Sequence, residues 1–133
     1  MTRTIQRNGW ELALPDGWVF QEDDSCDTIT GPDSIGALQI SSAVKDSLVA
    51  DDDLRSFAQE HIDAGAKLRD VECGDFCGFS LCFSDADTHW QLWYLRRARR
   101  MLFVTYNCHS EDRNVENEDV QRILAALRAR TSP

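Results

Sequence analysis

Two neighbouring stretches of the chain, residues 90–95 and 101–106, carry apolar side chains on both faces of a notional strand. A strand with one solvated face alternates apolar with polar residues, whereas a strand covered on both faces has no need to alternate. Aromatic and β-branched residues are frequent in both stretches, and a short basic turn joins them. The pattern predicts a β-hairpin over residues 89–106 near the middle of a sheet, with other elements packed on both faces.

Shorter apolar patterns before this hairpin predict further strands. Residues 10–14 alternate in hydropathy, Pro15-Asp16-Gly17 is typical of a tight turn, and a new apolar run begins at Trp18. Residues 10–22 are therefore predicted to form a hairpin of their own. Other strands are predicted over residues 26–30, 35–44, 67–73 and 76–83.

Two segments have helical periodicity. The first has one apolar stripe, formed by Leu54, Phe57, Ala58, His61 and Ile62. An aspartate N-cap, an acidic first turn and a glycine stop are expected to frame it: Asp51, Asp52, Asp53 and Gly65. The second segment has the stripe Val120, Ile123, Leu124 and Leu127, with acidic residues at its start and Arg128 and Arg130 at its end.

The order of these elements predicts the α+β class. Hairpins follow one another along the chain, a helix interrupts them, and a second helix ends the chain, which is typical of an antiparallel sheet with helices packed on it. We expect about six to eight strands and two main helices. The chain has 133 residues, a length that suits one domain over 1–133 with a substantial core of its own.

In the order of its predicted strands and helices, the chain resembles the PsbP-like superfamily. The resemblance rests on Leu14-Pro15-Asp16-Gly17-Trp18, Ala37-Leu38-Gln39-Ile40, a helix, Phe76-Cys77-Gly78, residues 90–106 and a last helix. That superfamily includes the PsbP subunit of photosystem II, a Ran-binding nuclear import factor, DcrB-like lipoproteins and Eag-type chaperones of type VI secretion. The resemblance implies a PsbP-like α/β/α sandwich and a non-enzymatic, protein-binding role. No functional motif of a member matches here, so no site residue is carried over. We expect neither the lipoprotein signal of DcrB nor the transit peptide of PsbP for this chain.

Composition and charge limit the classes of partner that the protein is expected to bind. Lys and Arg number 14 and Asp and Glu 23, which gives a net charge of −9. Such a surface repels nucleic acid and anionic membrane and favours basic partners, although acidity also serves solubility alone. Residues 1–8 hold no apolar stretch typical of a secretory signal, and no apolar run reaches the roughly 20 residues that span a bilayer, so a cytoplasmic protein is expected.

Candidate chemistry involves cysteine and histidine first. The five cysteines, an odd number, are expected to be free thiols, several of them buried in strands: Cys26, Cys73, Cys77, Cys82 and Cys108. Cys77 and Cys82 are five positions apart in one strand and face opposite ways, which argues against a shared zinc ion. No protease-type signature surrounds a cysteine, and His61 lies on an apolar stripe, as packed histidines do. We therefore expect no metal, no cofactor and no catalytic residue.

Charged clusters offer binding chemistry instead. The acidic runs around Asp23 and Asp24 and at Asp51–Asp53 lack EF-hand spacing and are expected to be solvated turns and caps. The basic cluster 96–100 is interpreted as a charged hairpin tip, with a phosphate or carboxylate contact as the alternative.

Two function classes remain open. One is a protein-binding module of the immunity, adaptor or secretion-chaperone type, with a basic toxin or secreted effector as its partner. The other is a small-ligand binder or enzyme with a pocket near the central hairpin. We expect the first, because no nucleophile and base converge. The predicted partner-binding residues are Asp23, Asp24, Asp51, Asp52, Asp53, Trp90 and Tyr94.

Overall fold

A computed structural model describes residues 3–130. The strands are β1 Arg3–Arg7, β2 Trp10–Leu14, β3 Val19–Gln21, β4 Asp27–Thr30, β5 Gly36–Val44, β6 Arg69–Cys73, β7 Phe76–Asp85, β8 Thr88–Arg97, β9 Arg100–His109 and β10 Arg128–Ala129. The helices are α1 Asp51–Phe57, α2 Gln59–Asp63 and α3 Asn117–Ala125, with a 3₁₀ turn at Ser110–Asp112. Met1, Thr2 and residues 131–133, which the single-domain prediction includes, lie outside the described residues.

The predicted central hairpin is confirmed. A seven-stranded antiparallel sheet has the order β3-β4-β5-β9-β8-β7-β6, so β9 is its middle strand and β8 is next to it. Residues pair in register from Thr88 with His109 to Arg97 with Arg100. Ala98 at the tip has a φ of 52°, the left-handed conformation that a tight hairpin turn requires.

Both faces of this sheet are covered, as the two-sided apolar pattern predicted. On one face Trp93, Leu95, Leu102 and Val104 belong to the larger core, which α3 and β2 complete. On the other face Leu92 and Tyr94 belong to a smaller core with residues of α1 and α2. Helices therefore lie on both faces, in agreement with the expected α/β/α sandwich.

The predicted hairpin over residues 10–22 is wrong. β2 pairs with β1 and with β10 in a separate three-stranded sheet, whereas β3 lies at the edge of the large sheet. The turn itself forms, since the Trp18 N–H donates to the Pro15 carbonyl at 3.2 Å and Gly17 has a φ of 87°. It carries the chain from one layer to the next, because β2 buries its large side chains in the larger core between the layers.

The first helical segment also departs from its prediction. Ala50, not an aspartate, is the N-cap, and the helix is interrupted at Ala58, which ends α1 and begins α2. Leu54 and Ala58 are buried, whereas Phe57 is 65% exposed. The small Ala58 side chain lets α1 approach the sheet along the Leu54–Ala58 line, so Phe57 at the margin of the stripe projects to the side. Gly65 ends the segment with a φ of 91°, as predicted.

The last helix has the predicted buried stripe, with Val120, Ile123 and Leu124 in the core. It ends at Ala125, so Arg128 and Arg130 lie beyond it and not in its last turn. Arg128 nevertheless acts at this end, because its Nη1 donates to the Ala125 carbonyl at 3.3 Å and the Leu127 carbonyl at 2.9 Å.

Candidate functional site

An apolar groove lies where the helical cover of the smaller core stops. α1 and α2 pack over β7 and β8, whereas the part of the same face formed by β9 and β5 has no helix above it in the described part of the chain. The margin of α1 therefore forms one wall and the sheet forms the floor. We call this feature the α1 groove.

The α1 groove has a volume of about 280 Å³ and is predominantly apolar. Leu54 and Phe57 of α1 form its wall. The floor is formed by residues of β5, β8 and β9: Ser41, Ser42, Ala43, Tyr94, Met101, Leu102 and Phe103. The rings of Tyr94 and Phe103 are 5.0 Å apart between centroids, so aromatic surface continues from the covered core into the open groove.

Large apolar side chains are exposed in and around the α1 groove. Phe57 is 65% and Phe103 38% exposed, on the wall and the floor respectively. Two further apolar side chains are exposed outside the groove lining: Val44, 61% exposed, at the end of β5 on the opposite face from Ala43, and Leu48, 72% exposed, in the loop from β5 to α1. Sequence reasoning missed all of these residues. The one signal in the sequence was the number of helices: two predicted helical segments are too few to cover both apolar faces of the sheet, so some apolar side chains stay uncovered.

A polar cavity of about 230 Å³ shares Ser41 and Ser42 with the α1 groove. Asp23 and Asp24, both exposed, line it in the loop between β3 and β4. Asp27 lies deeper, and its carboxylate accepts from Arg7 Nε at 2.9 Å. Hydrogen bonding to Asp27 raises the pKa of Arg7, against the opposing effect of burial. We call this feature the acidic cavity.

The two predicted aromatic site residues have different positions. Tyr94 is in the α1 groove but only 5% exposed, because it lies beneath α1. Burial, and then the charge of Glu60, raises its pKa. Trp90 does not line the groove; it packs in the smaller core and stacks on Phe83 at 6.2 Å between centroids. The two rings therefore lie in different parts of the smaller core and do not form one open surface.

The Asp51–Asp53 run is partly neutralised by its neighbours. Asp51 accepts from Arg55 at 2.6 Å, and Asp53 pairs with Lys45 at 2.8 Å. Asp53 also accepts from the Ala50 N–H at 2.8 Å, which caps α1, and the hydrogen bond to Lys45 is the main cause of its lowered pKa. Asp52 is exposed. Asp51 and Asp53 thus serve contacts within the fold, and Asp52 is the exposed acid of this run. Asp23 and Asp24 lie elsewhere, in the acidic cavity.

The cysteines and histidines do not converge on a site. Cys73 and Cys108 are buried, Cys26 and Cys77 are half-buried and Cys82 is exposed, so fewer thiols are buried than expected. Cys77 and Cys82 face opposite sides of β7, as the spacing predicted. His61 stacks on Phe83 at 5.0 Å between ring centroids, the packed position predicted from its stripe. Among residues 3–130, no group of three or more histidine, cysteine or acidic side chains is arranged to hold a metal ion.

The basic cluster 96–100 forms the hairpin tip, as predicted. Arg97 donates to the Asp75 carbonyl at 3.3 Å, and Arg100 Nη1 donates to Ser42 Oγ. Arg96 Nε is buried, with no hydrogen-bond partner within the described ranges. These contacts tie the tip to β5 and to the turn before β7.

No family model and no curated protein matches this chain. Solved structures do match it. A crystal structure from Bacteroides thetaiotaomicron VPI-5482 aligns with a TM-score of 0.70 at 18% identity, over 96% of this chain and 48% of that one, so this chain spans about half its length. The solution structure of cyanobacterial PsbP (CyanoP) from Synechocystis sp. PCC 6803 aligns with a TM-score of 0.63 at 11% identity, over 98% and 92% of the two chains.

LpqN, involved in cell envelope biogenesis of Mycobacterium tuberculosis, aligns with a TM-score of 0.62 at 12% identity, over 98% of this chain and 91% of that one. Identities at this level establish the fold and carry no activity with them. Within residues 3–130, no helix is long and apolar enough to cross a membrane. The seven-stranded antiparallel sheet, the helices on both of its faces and these nearly full-length alignments show that the chain has the PsbP-like fold.

Proposed function

We propose that this protein is a non-enzymatic module that binds another protein through the α1 groove. The observation that carries the proposal is the exposure of Phe57 and Phe103, at 65% and 38%, on the two sides of one apolar groove. Exposed apolar patches rimmed by polar residues usually mark interaction surfaces. Burying one such ring contributes about 1.5–3 kcal/mol, enough for it to act as an anchor of an interface.

The partner expected from the charges is basic. The net charge of −9 attracts it from a distance, and Asp23, Asp24 and Asp52 are exposed acids on the same molecule. A basic toxin or a secreted effector has this chemistry, whereas nucleic acid and anionic membrane do not. The free thiols support the cytoplasm as the predicted compartment, since a reducing environment maintains them.

A small apolar ligand is the second candidate. The α1 groove, at about 280 Å³, lies close to the lower end of the volumes typical of ligand pockets, and Tyr94 and Phe103 give it the aromatic lining that such pockets share. Occupation by such a ligand would make the protein a carrier or an enzyme, with the hairpin as the base of its site.

Site-specific photo-crosslinking tests the proposal. Benzoylphenylalanine replaces Phe57 in one variant and Val115 in a matched control, because Val115 is similarly exposed at 59% but lies outside the groove. In an extract of the source organism, we expect one protein to crosslink reproducibly through position 57 and not through 115. Unlabelled wild-type protein should compete for it, and the Phe57→Ser variant should compete at least tenfold less well.

Two results contradict the proposal. Equal crosslinking patterns at both positions exclude the α1 groove as a protein interface. A small molecule retained in native mass spectrometry by the wild type, and lost in Phe57→Ser, supports the second candidate instead.

The surface charges allow an independent test. The double variant Asp24→Lys with Asp52→Lys should associate more slowly with the captured protein at low salt, and about 0.5 M salt should remove the difference. Asp53 stays unchanged in this test because it caps α1.

A further inference from the structure

β5 has a free edge that the rest of the large sheet does not cover. β4 pairs with β5 only from Ala37 to Ile40, while β9 pairs with β5 along its whole length, from Gly36 to Val44. Residues 41–44 therefore have a strand on one side alone within the described chain. Ser42, Ala43 and Val44 are exposed, and no described strand pairs with them on this side; the β3–β4 loop lines the acidic cavity beside Ser41 and Ser42. We call residues 41–44 the open edge.

The backbone of the open edge is directed outward at alternate residues. The Lys45 N–H donates to the Arg99 carbonyl at 2.8 Å, which marks a hydrogen-bonded pair with the β9 side of the hairpin. In an antiparallel pair such positions alternate, so Ala43 and Ser41 also bond toward β9. The N–H and C=O groups of Ser42 and Val44 then face away from β9, toward the open side, where an added strand finds its partners.

The two faces of the open edge differ in chemistry. The α1 groove, with Phe57 and Ala43, lies on one face, and the acidic cavity, with Asp23 and Asp24, lies on the other. Successive side chains of a strand point to opposite faces. A segment added to this edge would therefore place every second side chain in the apolar groove and the intervening ones on the other face. There the position opposite Ser42 lies near Asp23, Asp24 and Arg100, whereas the position opposite Val44 lies near arginines of the hairpin tip.

The other edges of the large sheet are protected against strand addition. β6, at one end, presents the charged residues Arg69, Asp70 and Glu72, and β3, at the other, is three residues long. Charged and very short strands are the usual protections of a sheet edge. The open edge consists of Ser-Ser-Ala-Val and has no charged residue of its own, although Arg100 of β9 reaches it through the hydrogen bond to Ser42 Oγ.

From this juxtaposition we infer that the open edge binds an extended segment of a partner protein by β-strand addition. The segment continues the line of β4, bonds to Ser42 and Val44, directs apolar side chains toward Phe57 and, opposite Ser42, directs a basic side chain toward Asp23 and Asp24. This inference rests on the proposed function and adds the conformation and the sequence pattern of the partner, apolar residues at every second position with a basic residue between them.

Selection from a display library of random linear dodecapeptides tests the pattern, with Phe57→Ser as the counter-selection target. Enrichment of peptides with apolar residues at every second position and Lys or Arg between them supports the inference. Enrichment of apolar residues at helical spacing overturns it while leaving the α1 groove a protein-binding site. Selection that does not distinguish the wild type from Phe57→Ser contradicts the proposed function as well.

Backbone substitution tests the hydrogen bonds with the best selected peptide. Val44→Pro removes an edge-facing N–H without removing a bond to β9, and edge positions of this kind tolerate proline. Val44→Ala is the matched control, because it shortens the side chain and keeps the N–H. We expect Val44→Pro to weaken binding about fivefold to tenfold, which corresponds to the loss of about one hydrogen bond. Val44→Ala should weaken binding less than about twofold.

N-methylation of the peptide gives the same test without changing the protein. Methyl groups are placed on alternate backbone nitrogens of the peptide. In one phase they block the N–H groups that face β5, and in the other phase they fall on the N–H groups that face away from it. Loss of binding in one phase alone supports strand addition, whereas equal affinity in both phases overturns it. Sedimentation completes the comparison: a wild-type dimer that Val44→Pro dissociates shows that a second copy occupies the edge, and this also overturns the inference.

Discussion

Removal of one hydroxyl group, in Tyr106→Phe, tests how the two layers of the fold are joined. Tyr106 is 3% exposed in the middle strand β9, and its Oη donates to Glu116 Oε1 at 2.7 Å. Glu116 is 6% exposed at the N-cap of α3 and accepts a second bond, at 3.1 Å, from the Gly36 N–H of β5. A buried carboxylate thus joins the sheet to the start of the helix.

The expected loss follows from the charge of the acceptor. A hydrogen bond to a charged group contributes about 1.5–3 kcal/mol, more than a neutral pair, because the buried carboxylate has few other ways to be solvated. At pH 7 we expect Tyr106→Phe to lower the free energy of unfolding by about 2 kcal/mol. Glu116→Ala should cost more, about 3–5 kcal/mol, since it leaves the buried Tyr106 hydroxyl and the partly buried Gly36 N–H unpaired.

Alkaline pH gives a second signature. Burial, and then the hydrogen bond to Glu116, raises the pKa of Tyr106 far above its ordinary value. A group whose folded pKa is raised stabilises fully below its unfolded pKa, about 10 for tyrosine, and loses that contribution as pH rises toward the folded value. Above pH 10 the wild type should therefore lose up to about 1.4 kcal/mol per pH unit through Tyr106. Tyr106→Phe lacks this loss.

Urea unfolding followed by tryptophan fluorescence measures both effects, at pH 7 and in steps from pH 9 to 11. Tyr94 and Cys73 also have raised pKa values and act in the same direction, so the informative quantity is the difference in slope between wild type and variant. An unfolding free energy of Tyr106→Phe within about 0.5 kcal/mol of the wild type, with the same alkaline slope, refutes the reasoning.

Three further predictions concern packing, thiol chemistry and a turn. Leu54→Ala should cost about 2–5 kcal/mol and Phe57→Ala less than about 0.5 kcal/mol in urea unfolding, because Leu54 is 2% and Phe57 65% exposed; equal losses would place Phe57 in the core. Iodoacetamide should modify the exposed Cys82 well before Cys73, whose pKa burial raises to about 11; faster loss of Cys73 by peptide mass mapping contradicts its burial. Gly74→Ala should cost at least about 2 kcal/mol in thermal unfolding, since its φ is +63° and a Cβ would meet a carbonyl oxygen between α3 and β10 at 1.8 Å; an unchanged midpoint refutes that contact.

Local patterns predicted the large sheet because its strands carry their own signals. The hairpin of β8 and β9 is long and apolar on both faces, so its place in the middle of the sheet could be read from its side chains. The three-stranded sheet carries no comparable signal. β1 buries only Ile5 within Arg3–Arg7, and β10 is two residues long, so both strands exist because β2 already offers them a partner.

The candidate site was harder to predict because it depends on which margin of a helix faces the sheet. The stripe on α1 includes Leu54 and Phe57, and periodicity alone treats them alike. Contact with Ala58 decides between them, since that small residue is fully buried and fixes the rotation of the helix. The same rotation buries Tyr94, which the hairpin pattern had suggested as an exposed binding residue.

The open edge, by contrast, arises from a difference in strand length that the sequence does contain. Residues 35–44 predict a strand about twice as long as residues 26–30, its neighbour, and paired strands of unequal length leave part of the longer one uncovered. Asp23 and Asp24 lie beside this uncovered part. An unprotected edge normally invites a second copy of the same chain, but a copy of this chain carries −9 and its own pair of aspartates. Beside Ser42, Asp23 and Asp24 outnumber Arg100, the arginine that is bonded to the edge, so the charge there disfavours an acidic second copy and attracts a basic side chain of a partner.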